Sequence, residues 1–356
     1  MHMADALLSP AVGGTMIAIS AGVLAYSIRD IRKNFQEKRI PLMGISGAFV
    51  FAAQMINFAI PGTGSSGHIG GAVLLAALLG PSPAFLVMAC ILLVQALFFA
   101  DGGLLAWGCN LFNMGFFGCY LAYPCIFRPL AGGTTSRKRI VAASLTACLV
   151  SLELGALAVT LETLVSGITE LPFSIFAGAM LPIHLAIGAG EGLATAAVLL
   201  FVQKNLPDAE KLRLEEEKPS LLRLSWVLGL AALVLGGGLS LLASGKPDGL
   251  EWSMEKTAGS SELEASGAVH SFFSRLTEMF SVLPDYAIPG NESPLGTSIA
   301  GIAGAVICAL LLGIAGYFIC RSRKKAATAA AVREDLLLPG CKLLPLFHRQ
   351  TGSVCE

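Results

Sequence analysis

The chain opens Met1-His2-Met3-Ala4-Asp5, and its first two residues already hold a chelating set. A free terminal amine, the main-chain nitrogen of residue 2 and an imidazole nitrogen of His2 close successive rings around one ion in a plane. One corner stays open. Planar four-nitrogen coordination suits Ni(II) or Cu(II), whereas zinc favours a tetrahedron and magnesium or calcium favour oxygen. Alone, His2 reads more simply as a mobile terminal residue. A second histidine changes the balance. The segment Ile60-Pro61-Gly62-Thr63-Gly64-Ser65-Ser66-Gly67-His68-Ile69-Gly70-Gly71 is a glycine-rich loop entering a helix, and it carries His68 to the same outer boundary of the membrane as His2. Glycines let the main chain turn tightly and approach a ligand closely. The plainer alternative is a tight interhelical turn with His68 capping it or facing water. His2 and His68 together complete four nitrogens.

Other polar side chains stand where they can support those two. Gln95 precedes Asp101-Gly102-Gly103, and Asn110 and Asn113 follow at i and i+3, on one helix face. They are candidates for steadying the ligand histidines from behind, or equally for hydrogen bonds between helices. His184 and Glu191, seven residues apart, share a helix face, and Glu153 lies inside another apolar span. Ionisable residues at such depth are functional candidates, with packing of a buried pair as the alternative.

The elements that must position these residues are membrane helices. Of 356 residues, 54% are hydrophobic and 13% are charged, against roughly 25% charged in soluble domains. A soluble fold cannot hide that much apolar surface. Apolar runs of spanning length recur and predict helices at about 11 to 28, 41 to 59, 68 to 80, 84 to 100, 103 to 126, 140 to 162, 172 to 202, 222 to 243 and 298 to 320, the third short enough to be re-entrant. The expected fold is all-α and polytopic: a seven-helix unit over 1–202, a cytoplasmic linker over 203–221, a two-helix transmembrane hairpin over 222–325 around a long outer loop, and a disordered cytoplasmic tail over 326–356. An outside N-terminus puts 29–40, 127–139, 203–221 with Arg223, and 321–356 in the cytoplasm. These hold 5, 4, 5 and 7 of the 24 Lys and Arg residues, leaving only Lys246, Lys256 and Arg275 on the other side. The positive-inside rule therefore predicts N-out and C-in, in the cell (inner) membrane.

Other classes fall away on composition. Net charge is zero and the basic residues flank apolar spans, so no nucleic-acid partner is expected and lipid is the surrounding medium. The nine cysteines are scattered with no CxxC pair, which fits small buried apolar residues better than a disulfide or zinc framework. No positive segment precedes the first apolar run, so no cleavable signal is expected and Met1 should persist. Gly245-Lys246-Pro247 is not a phosphate-binding loop, so the chain is not expected to hydrolyse ATP or to use a catalytic cofactor.

These residues resemble a known family, the metal-specific substrate-binding subunits of energy-coupling factor transporters. The resemblance lies in Met1 to Asp5, Pro61 to Gly71 with His68, Asp101 through Asn113, and Gly188 to Thr195 with Glu191. The second part, with Pro247-Asp248-Gly249-Leu250-Glu251 and Pro284 to Gly290, looks like the small companion subunit of the same transporters, so the chain looks like a fusion of two components. The resemblance implies seven helices with the N-terminus inserted among them, and ligation by the Met1 amine, the His2 amide and imidazole, and the His68 imidazole. It implies Ni(II) as the transported substrate, with Co(II) second, and as partners a coupling transmembrane subunit and ATPase subunits. The glycine-serine loop before His68 looks more like the nickel branch than the cobalt branch. The alternatives are a proton-driven secondary transporter using Glu153, His184 and Glu191, and a non-transporting membrane scaffold.

Overall fold

The structure is a computed structural model and describes residues 1–34, 36–132, 136–205, 218–261, 263, 265–290, 293 and 295–337. Helices make nearly all of it: α1 Pro10–Asn34, α2 Ile40–Gln54, α3 Ala72–Leu79 and α4 Pro81–Phe98. A continuous helical rod over 107–131, here α5, begins as Trp107–Asn110, winds more widely as a π-helix over Leu111–Phe127 and ends in Arg128–Ala131. Then come α6 Arg137–Ser166, α7 Phe173–Asn205, α8 Lys218–Gly237, α9 Gly249–Ala258, α10 Ala268–Phe280 and α11 Leu295–Leu337. Among them, the segments Pro10–Asn34, Pro81–Phe98, Arg137–Ser166, Phe173–Lys204 and Leu295–Ser322 are long and apolar enough to cross a membrane, and Leu221–Gly237 is a shorter apolar helix. This is an all-α polytopic membrane protein.

Packing joins the two halves along their length. α6 lies against α5 and α7, while α8 and α11 pack on α2 of the first unit. The largest fully buried side chains include Phe51 on α2, Phe85 on α4, Phe99 and Phe176. Leu93, Leu161, Leu185, Leu233 and Ile314, on α4, α6, α7, α8 and α11, are exposed outward, as expected where lipid rather than water is the solvent.

Several predicted boundaries move, each for a local reason. The third helix begins at Ala72, not 68. Gly71 adopts φ +83°, a left-handed conformation that stops a helix from starting earlier, and Glu191 takes the main-chain N–H groups of residues 70 and 71. α2 stops at Gln54, before the predicted 59, because Phe58–Ala59 pairs antiparallel with Ser66–Gly67. Pro81-Ser82-Pro83, which falls between the predicted helices 68 to 80 and 84 to 100, forms the first turn of α4, where proline's fixed φ and missing N–H do no harm. The eighth span ends at Gly237, with a 3-10 turn over Leu239–Leu242 after it. The outer loop is not featureless, since it contains α9 and α10. At the far end α11 runs past 325 to Leu337, so that part of the predicted disordered tail is helical; 338–356 lie outside the described residues, as do 206–217 of the predicted linker. Seven cysteines fall among the described residues, five of them buried, with Cys90 half-buried and Cys125 exposed.

Candidate metal centre

The N-terminus is a plug because its sequence is apolar where it must be. Met3, Leu7 and Leu8 are fully buried, and Met1 nearly so. At roughly 1.5–3 kcal/mol for each large apolar side chain removed from water, their burial holds the segment inside. Polar partners set its register. The Met3 N–H donates to Asn110 Oδ1 at 2.7 Å, while the Met3 carbonyl accepts from Asn110 Nδ2 at 3.1 Å and from the Gly103 N–H at 2.9 Å. Asn113 Nδ2 faces Met3 Sδ at 3.8 Å and donates to Glu162 Oε2 at 2.7 Å. Asn110 and Asn113 thus both meet Met3, the shared face their spacing predicts. The turn at Asp101-Gly102-Gly103 needs its glycines, because a Cβ at position 103 would overlap the Asp5 carboxylate.

This register delivers the Met1 amine to His68. The amine nitrogen lies 3.1 Å from His68 Nε2 and 2.6 Å from Asp248 Oδ2. The rings of His2 and His68 stack, with centroids 5.1 Å apart and planes 19° from parallel. His68 Nδ1 faces the Ile69 carbonyl at 3.1 Å, so it carries the proton and leaves the Nε2 lone pair toward the amine. Burial, the amine and His2 together push the His68 imidazolium down to a pKa of about 3, which keeps the ring neutral and able to ligate. Burial likewise lowers His2, against the opposing pull of Asp101.

A relay of side-chain amides fixes which His2 nitrogen is free. Gln54 Nε2 donates to the Gly70 carbonyl at 2.7 Å, Gln95 Nε2 donates to Gln54 Oε1 at 2.8 Å, and Gln95 Oε1 therefore accepts from His2 Nε2 at 3.1 Å. The neutral ring then carries its lone pair on Nδ1, the atom that closes a chelate with its own main-chain nitrogen. Nδ1 sits 3.3 Å from Asp101 Oδ1, not against the amine. Two acceptors facing one another at that distance form a mismatch that a cation relieves, and a square around the amine requires Nδ1 to turn away from Asp101.

The remaining candidates separate by what they touch. Glu191 accepts the N–H of Gly70 at 2.8 Å and of Gly71 at 2.9 Å, so it holds the His68 loop. His184 does not pair with Glu191; its Nδ1 donates to the Met180 carbonyl at 2.8 Å, and its Nε2 makes no hydrogen bond among the described residues. Met1, His68, His184, Glu191 and Asp248 line one cavity of about 20 Å³, room for about one water-sized particle. Glu153 is not among its lining residues. Among the described residues no three His, Cys, Asp or Glu side chains are grouped to hold a metal ion.

Asp248 and Gln54 also touch the candidate site, and sequence reasoning did not single them out for it. Asp248 caps α9, its Oδ1 accepting the N–H groups of Leu250 and Glu251, and its other oxygen takes the amine. Its carboxyl stays below the ordinary range: burial alone would raise it, but the amine and His68 outweigh that. The segment around it is laced onto the His68 loop, with Ser66 N–H donating to the Pro247 carbonyl at 2.8 Å, Ser66 Oγ to the Lys246 carbonyl at 2.7 Å and Trp252 Nε1 to the Thr63 carbonyl at 3.0 Å. Tyr286 OH donates to Asp101 Oδ2 at 2.6 Å. The available signal was Asp248 itself, an acid in a motif of the outer loop, but nothing local says what it faces.

The chain is thus a multi-pass membrane protein, an α-helical bundle that folds its own N-terminus against a histidine loop under a cover supplied by its second half. Residues 2–209 match the cobalt uptake substrate-specific transmembrane region family, and residues 222–321 match the PDGLE domain. The chain belongs to that family and carries the PDGLE domain on the same polypeptide. It is 32% identical over 352 residues to the fused nickel transport protein NikMN of Rhodobacter capsulatus, covering 91% of this chain and 99% of that one. It is 29% identical over 210 residues to the cobalt transport protein CbiM of Sorangium cellulosum, covering 58% and 93%. A crystal structure described as a truncated transition metal transporter aligns with a TM-score of 0.51 at 30% identity, over 58% of this chain and 99% of that one.

Proposed function

We propose that the chain is the substrate-capture subunit of an ATP-driven energy-coupling factor importer for Ni(II). The ion is taken in a planar set formed by the Met1 amine, the His2 main-chain nitrogen, His2 Nδ1 and His68 Nε2. The observation that carries this is the approach of the Met1 amine to His68 Nε2 at 3.1 Å in a buried site, with His2 stacked beside it. Gln95, Gln54, Asp101, Asn110, Asn113 and Glu191 orient the set, and ligation follows loss of protons from the amine and amide. The geometry selects among metals: a flat four-nitrogen set is poor for zinc. Co(II) is the second substrate, favoured by the cobalt-named relatives.

The orientation is N-terminus outside and C-terminus cytoplasmic, so the cavity and α9 face the outer side. A coupling transmembrane subunit and ATPase subunits drive reorientation and inward release. The deciding experiment measures nickel content of the purified chain as wild type, as His2→Ala, as His68→Ala and with residues added ahead of Met1. All three changes are expected to strip the ion. Wild-type content in both histidine variants would refute the ligand set, and tight binding by the extended chain would refute the amine. Nickel uptake into proteoliposomes made without ATP would instead favour the proton-driven alternative.

A further inference from the structure

The ring of His184 is set up like a ligand yet touches none of the four proposed nitrogens. It is 1% exposed on α7, its Nδ1–H is committed to the Met180 carbonyl, and its Nε2 lone pair meets no donor among the described residues. A buried acceptor left without a partner is costly, so such a group calls for an explanation. Metal-ligating histidines share this arrangement, with one nitrogen tied to a carbonyl and the other free. His184 lines the same cavity as Asp248, and the main chain of Gly249 lies directly over it: a Cβ there would meet His184 Cε1 at 2.9 Å and Nε2 at 3.2 Å. The glycine of the second domain is what lets its acid come this close to an imidazole of the first.

Resting on the four-nitrogen reading of the neighbouring site, we propose that His184 Nε2 and the Asp248 carboxylate form a second, weaker station for the transported divalent ion, built across the two domains. Neutral nitrogen with carboxylate oxygen suits a borderline divalent ion, whereas the planar set takes nitrogen alone. The two stations adjoin through Asp248, which also holds the amine. An ion drawn to this carboxylate frees the amine from its partner beside His68, so the station serves as a stopping place while the planar set assembles.

The test uses the full chain carrying His2→Ala and His68→Ala, which removes both imidazoles of the planar set, titrated with Co(II) alone. Binding is read by equilibrium dialysis and by the visible absorption of Co(II), which reports its ligands. A weak equivalent is expected to remain, and adding His184→Asn should weaken it about tenfold or more. Asparagine can keep an N–H for the Met180 carbonyl while deleting the Nε2 lone pair. His184→Gln, which places an amide near Nε2 instead, serves as the second variant and should cause a similar loss. Absence of any bound Co(II) in the His2→Ala, His68→Ala chain, or residual binding indifferent to position 184, overturns the station. Failure of the underlying reading shows elsewhere, as wild-type nickel content in the single His68→Ala chain.

Discussion

Glu191→Gln isolates the positioning of His68 from its ligation. Glu191 is 1% exposed, and its two oxygens accept the N–H groups of Gly71 and Gly70 at 2.9 and 2.8 Å. Hydrogen bonds to charged groups contribute roughly 1.5–3 kcal/mol each. Glutamine retains one acceptor oxygen but turns an NH2 toward the other N–H, so one bond is lost and a donor is left facing a donor. That costs about 2–3 kcal/mol of loop stability. At 1.4 kcal/mol per factor of ten, the seated loop becomes about 30- to 150-fold less populated relative to its released form. If only the seated loop binds, apparent nickel affinity falls by up to that factor. Equilibrium dialysis against Ni(II) reads the affinity, and amide hydrogen exchange at residues 70 and 71 reads the loop. Lost protection together with wild-type affinity would refute the role assigned to the loop, and wild-type protection would refute the bonds themselves.

Gly249→Ala should push the outer loop off the cavity, since the new Cβ would lie 2.8 Å from Ile187 Cδ1 and 2.9 Å from His184 Cε1. About 1–3 kcal/mol of strain is expected, measured as faster proteolysis within 244–261, and wild-type resistance would contradict the packing. Acid should loosen the site. His68 has a folded pKa near 3 against roughly 6.5 unfolded, so the unfolded state binds more protons between these values and stability falls as pH drops through that window. Nickel retention and protection of the His68 loop should therefore decline together from about pH 6.5 downward, and loop protection that stays flat to pH 4 would exclude this linkage.

Much of the bundle was legible because lipid as solvent leaves few options: every main-chain group must be paired internally, so apolar runs of spanning length become helices. Their ends were less legible, since α3 starts at Ala72 through a bond to Glu191, a residue 119 positions beyond Ala72 in a different helix. At the candidate site, His2, His68, Gln95, Asn110 and Asn113 stood out because polar groups in such a chain require partners. Gln54 did not, since its partners, the Gly70 carbonyl and Gln95, lie 16 and 41 residues away and nothing local points to them. Asp248 escaped for a different reason. Its partner is the terminal amine, 247 residues away, and long-range pairings leave no trace in local pattern.

The strap of Lys246, Pro247, Asp248 and Trp252 over the His68 loop is joined to the bundle by its own polypeptide. When two such pieces are separate molecules, how often they meet depends on how much of each is made. Tethering fixes the local concentration of the one about the other, in the millimolar range for a short flexible connection. Every copy inserted in the bilayer thus carries its own cover in a one-to-one ratio, and dilution in the membrane plane cannot part them.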